Sequence, residues 1–449
     1  MKRKLLRILY IVLALLLVGT VIFAYLIYDN IMGSEKLPGQ KSDIPTISAS
    51  IPPVDNGNSD WPNWRGPNFD GKSNSKGIIT NWNNGIEKIW SVDFLCQGRA
   101  TASWSSVVVQ GNRLIVPGRD EENDIIFCLN SNDGSLIWKN FYKSSTGDAH
   151  GPGARATPVI HDNKVYTYGR GGDLACWQFY DGKLLWKTNV KDIGGEEPDW
   201  GLSSTPLIVD DKVIVQGGGK ALVAAFNKNT GKLEWKSLEG PAGYSAAVET
   251  EIENNKLLLI YHAKALSCLN PQNGTELWKI PWETDYGVNA ATPALSGDTL
   301  FHSSGYEKGC QAVKISKNGY KILWTNKTIQ AQHTDPLLID GYIYCYSGES
   351  SNMKGYFKCV ELKTGKEMWS DNSSGMGTCI FSDGYIVCLD IKGNLHLIKP
   401  NPKEFVKINV LNSAIPEVRN PAWTSPVIAN GNLYLRYMQK LLCYRVADK

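Results

Sequence analysis

Aromatic and charged side chains recur just before, or within, a series of short strands that begin with small residues, such as ATPVI at 156–160 and STPLIV at 204–209. Aromatic faces combined with a few converging charges are suited to binding a polar or sugar-like ligand. The alternative is that the aromatic rings cover the open end of a core and that the charges are solvated. The candidate ligand-binding residues are Arg99, Trp104, His150, Arg155, Trp200, Tyr244, Asn289, His333, Asp335, Trp423 and Arg436.

The strands that carry these residues belong to a sequence repeat. A tryptophan ends each of six turn-plus-strand phrases, from DGSLIW to TGKEMW, and a seventh ends GIEKIW; successive tryptophans are 43 to 49 residues apart. A period of this length is typical of stacked or radial repeats. The tryptophans are Trp90, Trp138, Trp186, Trp235, Trp278, Trp324 and Trp369.

Each repeat contains four runs of four to seven residues that are rich in β-branched and aromatic types and are bounded by Gly, Asp or Asn. Four short antiparallel strands per repeat predict a propeller blade. Eight small-residue leads mark eight inner strands, but only seven outer strands follow the first of them. We therefore expect residues 85–90 to complete the last blade and to close the ring, which removes an exposed sheet edge.

The fold class predicted is thus an all-β, eight-bladed β-propeller of four-stranded antiparallel blades, preceded by one N-terminal transmembrane helix. The expected domains are a cytoplasmic tail at 1–7, a transmembrane helix at 8–28, a flexible tether at 29–60 and the propeller at 61–449. Four basic residues precede the apolar span, which predicts a cytoplasmic N-terminus and a periplasmic propeller on a single-pass inner-membrane anchor. A cleaved signal peptide is the alternative, although the bulky flank FAYLIYDN disfavours it.

The charge balance limits the possible partners, and the cysteine spacing indicates whether disulfides are expected. The chain has 47 basic and 44 acidic residues, so nucleic acid is not an expected partner. Counting six residues back from each turn glycine finds one small apolar position per repeat, and we expect cysteine there to behave as a buried hydrophobe without disulfides. Those positions are Cys128, Cys176, Ala225, Cys268, Val313 and Cys359.

A ring of eight blades also separates the two candidate histidines. A His–His or His–Asp pair could bind a metal or act as acid and base. His150 and His333 fall in blades two and six, on opposite sides of the ring, so structural roles are favoured. Arg155 and Arg436 could bind an anionic group through the guanidinium fork or could join neighbouring blades. No catalytic residue and no metal ligand is predicted.

The phrase T/D-G-K-x-x-W, repeated after small-residue strands, resembles the pyrroloquinoline-quinone (PQQ) repeat. The chain is similar to extracytoplasmic bacterial PQQ-repeat-like propellers through WPNWRGPNFDGKS (61–73), HGPGARATPVI (150–160), DWGLSSTPLIVDDKVIVQGGG (199–219), GYSAAV (243–248), TDYGVNAATP (284–293) and NLYLR (432–436). The resemblance covers Trp61 to about Val446. The same repeat occurs in quinoprotein dehydrogenases and in the outer-membrane assembly scaffold BamB. The segment WRGP, which precedes the ring-closing strand, is expected to pack onto the propeller.

The resemblance implies two functions. A quinoprotein would have a vicinal disulfide, a Ca²⁺ ion and a catalytic Asp, but the sequence has no adjacent cysteines, and Asn289 has no matching Glu and Asp. The favoured hypothesis is therefore a binding or scaffold module for a polar ligand or an extracytoplasmic partner protein, without a cofactor. The alternative is a PQQ- and Ca²⁺-dependent alcohol or sugar dehydrogenase. A hydrolase or lyase at the channel mouth is a third hypothesis, although no nucleophile motif supports it.

Overall fold

The computed structural model describes residues 16–20, 59–98, 101–144, 151–349, 354–447. Eight β-sheets are arranged as blades, each with four antiparallel strands. This confirms the predicted all-β, eight-bladed propeller. Blades 1 to 4 contain the strands Val108–Gln110, Arg113–Arg119, Asn123–Asn130 and Leu136–Lys143; Val159–His161, Lys164–Tyr168, Asp173–Gln178 and Leu184–Asn189; Leu207–Val209, Lys212–Gln216, Val223–Asn227 and Leu233–Ser237; and Val248–Ile252, Asn255–His262, Ala265–Leu269 and Glu276–Pro281.

Two short 3-10 helices lie in loops between blades: Val190–Ile193 before blade 3 and Asp285–Gly287 before blade 5. The second half of the ring repeats the four-stranded pattern. Blades 5 to 8 contain Ala294–Ser296, Thr299–Ser304, Gly309–Ser316 and Gly319–Asn326; Leu337–Ile339, Tyr342–Glu349, Lys354–Glu361 and Glu367–Asp371; Gly377–Ser382, Tyr385–Asp390, Leu395–Lys399 and Val406–Leu411; and Val427–Ala429, Asn432–Tyr437, Lys440–Arg445 and Lys88–Val92.

The last blade is completed by the N-terminal strand Lys88–Val92, which pairs antiparallel with Lys440–Arg445. Trp90 lies opposite Cys443 in this pairing. The predicted ring closure by residues 85–90 is therefore confirmed. Closure joins the two ends of the propeller. It gives the last blade its outer strand, so the edge of Lys440–Arg445 is not left unpaired.

Each repeat tryptophan joins its own blade to the next one. Its indole N–H donates a hydrogen bond of 2.7 to 3.2 Å to a backbone carbonyl of the following blade. The indole of Trp138, for example, donates to Phe179 and covers the turn glycine Gly182. The spacing of the tryptophans therefore reports one interblade contact that is made seven times around the ring.

The small apolar position of each repeat lies directly across the sheet from the tryptophan. Cys128, Cys176, Cys268 and Cys359 each face their blade's tryptophan. In blade 5 this partner is Ala312, and the sequence-based choice of Val313 was wrong, because NGYKILW has one residue more than the other phrases. All ten cysteines are buried and free.

The segment 59–75, which we call the channel plug, runs inside the ring and contacts inner strands on several sides. Trp61 exchanges two backbone hydrogen bonds of 2.9 Å with Val109 of blade 1. Lys72–Ser73 forms a fifth, parallel strand on blade 7 beside Phe381 and Ser382. WRGP therefore packs onto the propeller, as expected, and it does so from within the channel.

Among the described residues, no helix is both long enough and apolar enough to cross a membrane. Residues 16–20 of the predicted transmembrane segment are helical. The remainder of that segment, and residues 29–58 of the predicted tether, lie outside the described residues.

Candidate functional site

The loops that enter the inner strands of blades 3 to 5, together with one turn of blade 5, bring four aromatic rings close to one another. The Trp200 ring lies 5.8 Å from Tyr244 and 6.2 Å from Tyr286, in edge-to-face geometry, and the Tyr286 ring lies 5.7 Å from Tyr306. Such contacts support each ring without covering it. The result is a continuous aromatic surface at one mouth of the channel.

Tyr286 is the most exposed member of this surface, with 72% of its area accessible. It lies in the 3-10 helix Asp285–Gly287 with φ of 61°, in the left-handed region that non-glycine residues rarely adopt. Strained backbone of this kind is concentrated at binding and catalytic sites. The loop therefore holds a large aromatic side chain in solvent at an energetic cost.

The loop that carries Trp200 is fixed by a buried cation. Arg170 forms an ion pair with Glu197 and donates a hydrogen bond of 3.3 Å to the carbonyl of Asp199. Glu197 also pairs with Lys191 at 2.9 Å. This network sets the direction of the backbone immediately before Trp200.

A second aromatic pair extends the surface toward blade 8. The Gln332 amide donates a hydrogen bond of 2.9 Å to the Tyr306 hydroxyl, and the next residue, His333, packs its ring 4.6 Å from Trp423. Thr424 then donates to the carbonyl of Trp104. The described contacts thus follow the mouth from blade 3 to blade 8; we call Trp200, Tyr244, Tyr286, Tyr306, His333 and Trp423 the mouth arc.

Beneath the arc, side chains of the channel plug contact residues that directly precede the inner strands. The Arg65 guanidinium faces the Asp335 carboxylate at 3.6 Å and donates to the Pro336 carbonyl at 2.7 Å. Trp64 donates to the Thr292 hydroxyl at 3.2 Å. Burial raises the pKa of Asp335, whereas Arg65 and the Thr292 N–H, 2.6 Å from the carboxylate, oppose that rise.

Equivalent hydroxyls join neighbouring blades at this level. The Ser106 N–H donates to the Thr157 hydroxyl at 3.1 Å, and the Thr157 N–H donates to the Thr205 hydroxyl at 3.2 Å. Asp335 accepts from Thr292 in the same way. Side-chain oxygens in and beside the small-residue segments that precede the inner strands therefore accept hydrogen bonds from backbone N–H groups of the neighbouring blade.

Two of the predicted site residues are buried and hydrogen-bonded within the protein. The Asn289 amide donates to the carbonyls of His262 and Trp282 at 2.8 and 2.9 Å, and its oxygen accepts from Ser304 at 2.6 Å. Arg436 is buried and donates two hydrogen bonds, of 2.8 and 2.9 Å, to Ser105 of the next blade. Burial lowers the pKa of Arg436.

The other predicted residues divide by location. Trp104 is half-buried, and its backbone N–H donates to the Ala154 carbonyl. Arg155 folds back to donate to Gly151 and Gly153 of its own loop at 3.1 and 3.3 Å. Arg99 and His150 lie outside the described residues.

Tyr306 and Arg65 were missed as site residues. Tyr306 lies in the turn between the second and third strands of blade 5, not in an inner-strand lead. Arg65 lies in the WRGP segment, to which only packing was assigned. The available signals were the aromatic residue in GYEKG and the arginine in that tryptophan-rich segment.

The residues present do not fit a quinone with calcium. Within the described ranges, no three His, Cys, Asp or Glu side chains are grouped so as to bind a metal. The oxygen of Asn289, the amide that a quinoprotein-like calcium site would use, accepts a hydrogen bond from Ser304. The cavity inside the ring that is lined by Arg65, Asp335 and Cys379 has room for about one or two water molecules, which is far too small for a tricyclic quinone.

The fold and its interblade tryptophan contacts define a class of eight-bladed propellers built from PQQ-like repeats. The family model described as outer membrane protein assembly factor BamB matches residues 122–371, more than half of the chain. The chain therefore belongs to this family. No curated protein matches it in sequence.

Solved structures share the fold at low sequence identity. BamB from Moraxella catarrhalis is 14% identical with a TM-score of 0.58, covering 80% of this chain and 99% of its own. A quinohemoprotein alcohol dehydrogenase from Pseudomonas putida HK5 is 13% identical with a TM-score of 0.60, covering 87% and 80%. A europium-containing methanol dehydrogenase is 13% identical with a TM-score of 0.61, covering 84% and 89%. At these identities the likeness concerns the fold alone.

Proposed function

We propose that this chain is a membrane-tethered, extracytoplasmic propeller that binds a partner protein through the mouth arc and does not transform it. The observation that carries the proposal is the contiguous aromatic surface in which Tyr286 is 72% exposed on left-handed backbone. The family is named for an assembly factor, and a factor of that kind acts by binding other proteins. An extended polar chain, such as a glycan, is the second occupant that this surface would suit.

The physical argument rests on preorganisation. Trp200 and Tyr244 are half-buried and support each other, so they would lose little side-chain entropy when a partner covers them. Tryptophan and tyrosine are also the residues that contribute most binding energy at protein interfaces. The neighbouring Tyr286 adds exposed apolar area with a polar hydroxyl at its end.

The tether and the location are supported by the sequence. Lys2, Arg3, Lys4 and Arg7 precede an uncharged segment at 8–28, long enough to cross a bilayer as a helix. A carbonate wash should leave the full-length protein in the membrane pellet, and external protease should cleave the propeller in spheroplasts. Release into the supernatant, or protection from protease, would contradict this part of the proposal.

Site-specific photo-crosslinking tests the binding surface. A photoactivatable phenylalanine analogue is placed at Tyr286 and, as a matched control, at Tyr320, a 37% exposed tyrosine on the outer strand of blade 5. We expect a discrete adduct from position 286 only, and a lower yield after Trp200→Ala. Equal adducts from both positions, or none from 286, would refute the site. Protease would digest the adduct of a protein partner and would spare that of a glycan.

A further inference from the structure

Two cysteines of blade 7 lie directly opposite each other on neighbouring strands. Cys379 of Gly377–Ser382 and Cys388 of Tyr385–Asp390 are register partners. They are the only two of the ten cysteines that pair in this way among the described strands. The relation follows from the two-residue turn between the strands, which fixes the register.

The pair occupies a non-hydrogen-bonded position of the sheet. The Phe381 N–H, two residues from Cys379, donates away from this strand pair to the Gly71 carbonyl of the channel plug. Alternate residues share that direction, so the Cys379 N–H also points away from Cys388. Non-hydrogen-bonded partners have Cα atoms about 4.5 Å apart, within the range that a disulfide spans without backbone movement.

The two thiols differ in access. Cys388 is fully buried against Tyr346, whereas Cys379 is 7% exposed and lines the small channel cavity together with Arg65. The cavity admits molecules of the size of water and excludes larger oxidants. Hydrogen peroxide satisfies this limit, and a disulfide such as oxidised glutathione does not.

We propose that Cys379 and Cys388 form a peroxide-reactive dithiol site that closes to a cross-strand disulfide. The Cys379 thiol gives up its proton as its sulfur attacks one oxygen of hydrogen peroxide; the O–O bond breaks, a sulfenic acid forms, and the released hydroxide combines with that proton to give water. The Cys388 sulfur then attacks the sulfenic sulfur; the S–O bond breaks, the S–S bond forms, and a second water leaves. Two thiols are oxidised and one peroxide is reduced to two waters.

The site differs in place and chemistry from the mouth arc, so its test is independent of the proposed binding function. The reduced full-length protein is treated with hydrogen peroxide or with oxidised glutathione, unfolded in alkylating reagent and analysed by mass spectrometry. We expect the ten free thiols to fall to eight with peroxide, with a linked Cys379–Cys388 peptide, and to stay at ten with oxidised glutathione. Ten alkylated thiols after peroxide, or a bridge to Cys345, would overturn the proposal. Equal oxidation by glutathione would overturn the choice of oxidant.

Single variants separate the two roles. In Cys388→Ser we expect peroxide to leave a sulfenic acid on Cys379, trapped by dimedone on unfolding, and no bridge. In Cys379→Ser no thiol should be lost. The control Cys176→Ser, a buried cysteine in blade 2, should still lose two thiols. Loss of thiols in Cys379→Ser would contradict the entry role of Cys379, and thermal unfolding checks that each variant is folded.

Discussion

Arg65, in the channel plug, faces Asp335 of blade 6 at 3.6 Å, although 270 residues separate them in the chain. Arg65 is 5% exposed and Asp335 is 14% exposed, so neither charge is well hydrated. Each is stabilised by the opposite charge instead. The ion pair therefore attaches the N-terminal segment to the inside of the ring.

Replacing Arg65 with Met should destabilise the propeller by about 3 kcal/mol, because it leaves the Asp335 carboxylate buried without a countercharge. The double variant Arg65→Met with Asp335→Asn should lose less than the sum of the two single changes, since no buried charge then remains. Urea unfolding of the four proteins measures this coupling. Strictly additive losses would show that the pair does not stabilise the plug.

The left-handed backbone of Tyr286 in the mouth arc gives a prediction that separates stability from binding. Tyr286→Gly should leave stability unchanged or raise it by up to about 1 kcal/mol, because glycine adopts left-handed backbone without a steric penalty. The same change should abolish crosslinking from a probe at Trp200. Tyr320→Gly, on extended backbone in an outer strand, should instead destabilise by about 1 kcal/mol. Thermal unfolding and crosslink yield, measured on the same samples, decide between these outcomes.

The blades could be read from the sequence because their defining contact is periodic. Trp138 and Gly182 belong to different blades, yet both recur at every repeat, so spacing alone reveals the pattern. One extra residue in the blade 5 phrase was enough to misplace Val313 by one position. Counting residues locates equivalent positions only where every repeat has the same length.

The contents of the channel could not be read in this way. Arg65 reaches Asp335 through the closed ring, and no periodicity connects the two residues. Asn289 and Arg436 were singled out as candidate ligand-binding residues at the channel mouth, but their hydrogen bonds to Ser304 and Ser105 depend on how the blades meet. The residue types alone indicated that these side chains make polar interactions. Whether such an interaction binds a ligand or holds the blades together depends on the hydrogen-bond partner.

The interblade tryptophan contact predicts a steric effect that two glycines can separate. A Cβ atom at Gly182 would lie 2.3 Å from the Trp138 ring, whereas one at Gly85 would meet nothing within 4 Å. Both residues have similar positive φ, 72° and 79°. Gly85→Ala should therefore cost about 1 kcal/mol from backbone strain alone, and Gly182→Ala about 2 kcal/mol more from the clash. Equal losses in chemical unfolding would mean that the tryptophan moves aside freely.

The last prediction concerns pH. His302 is buried between Tyr261 and Trp282, and burial lowers its pKa to about 4. Burial also lowers the pKa of His262 to about 4.

In the unfolded chain histidine titrates near pH 6.5, so the unfolded state binds more protons than the folded state between about pH 6.5 and 4. Stability should be complete above pH 6.5 and should fall as the pH drops through this window, by up to about 3 kcal/mol for each histidine. His302→Gln should be less stable at pH 7 but should show a shallower decline toward pH 4. The control His333→Gln changes an exposed ring of the mouth arc and should keep the full slope. Thermal unfolding at half-unit pH intervals provides the measurement, and an unchanged slope in His302→Gln would contradict the assignment.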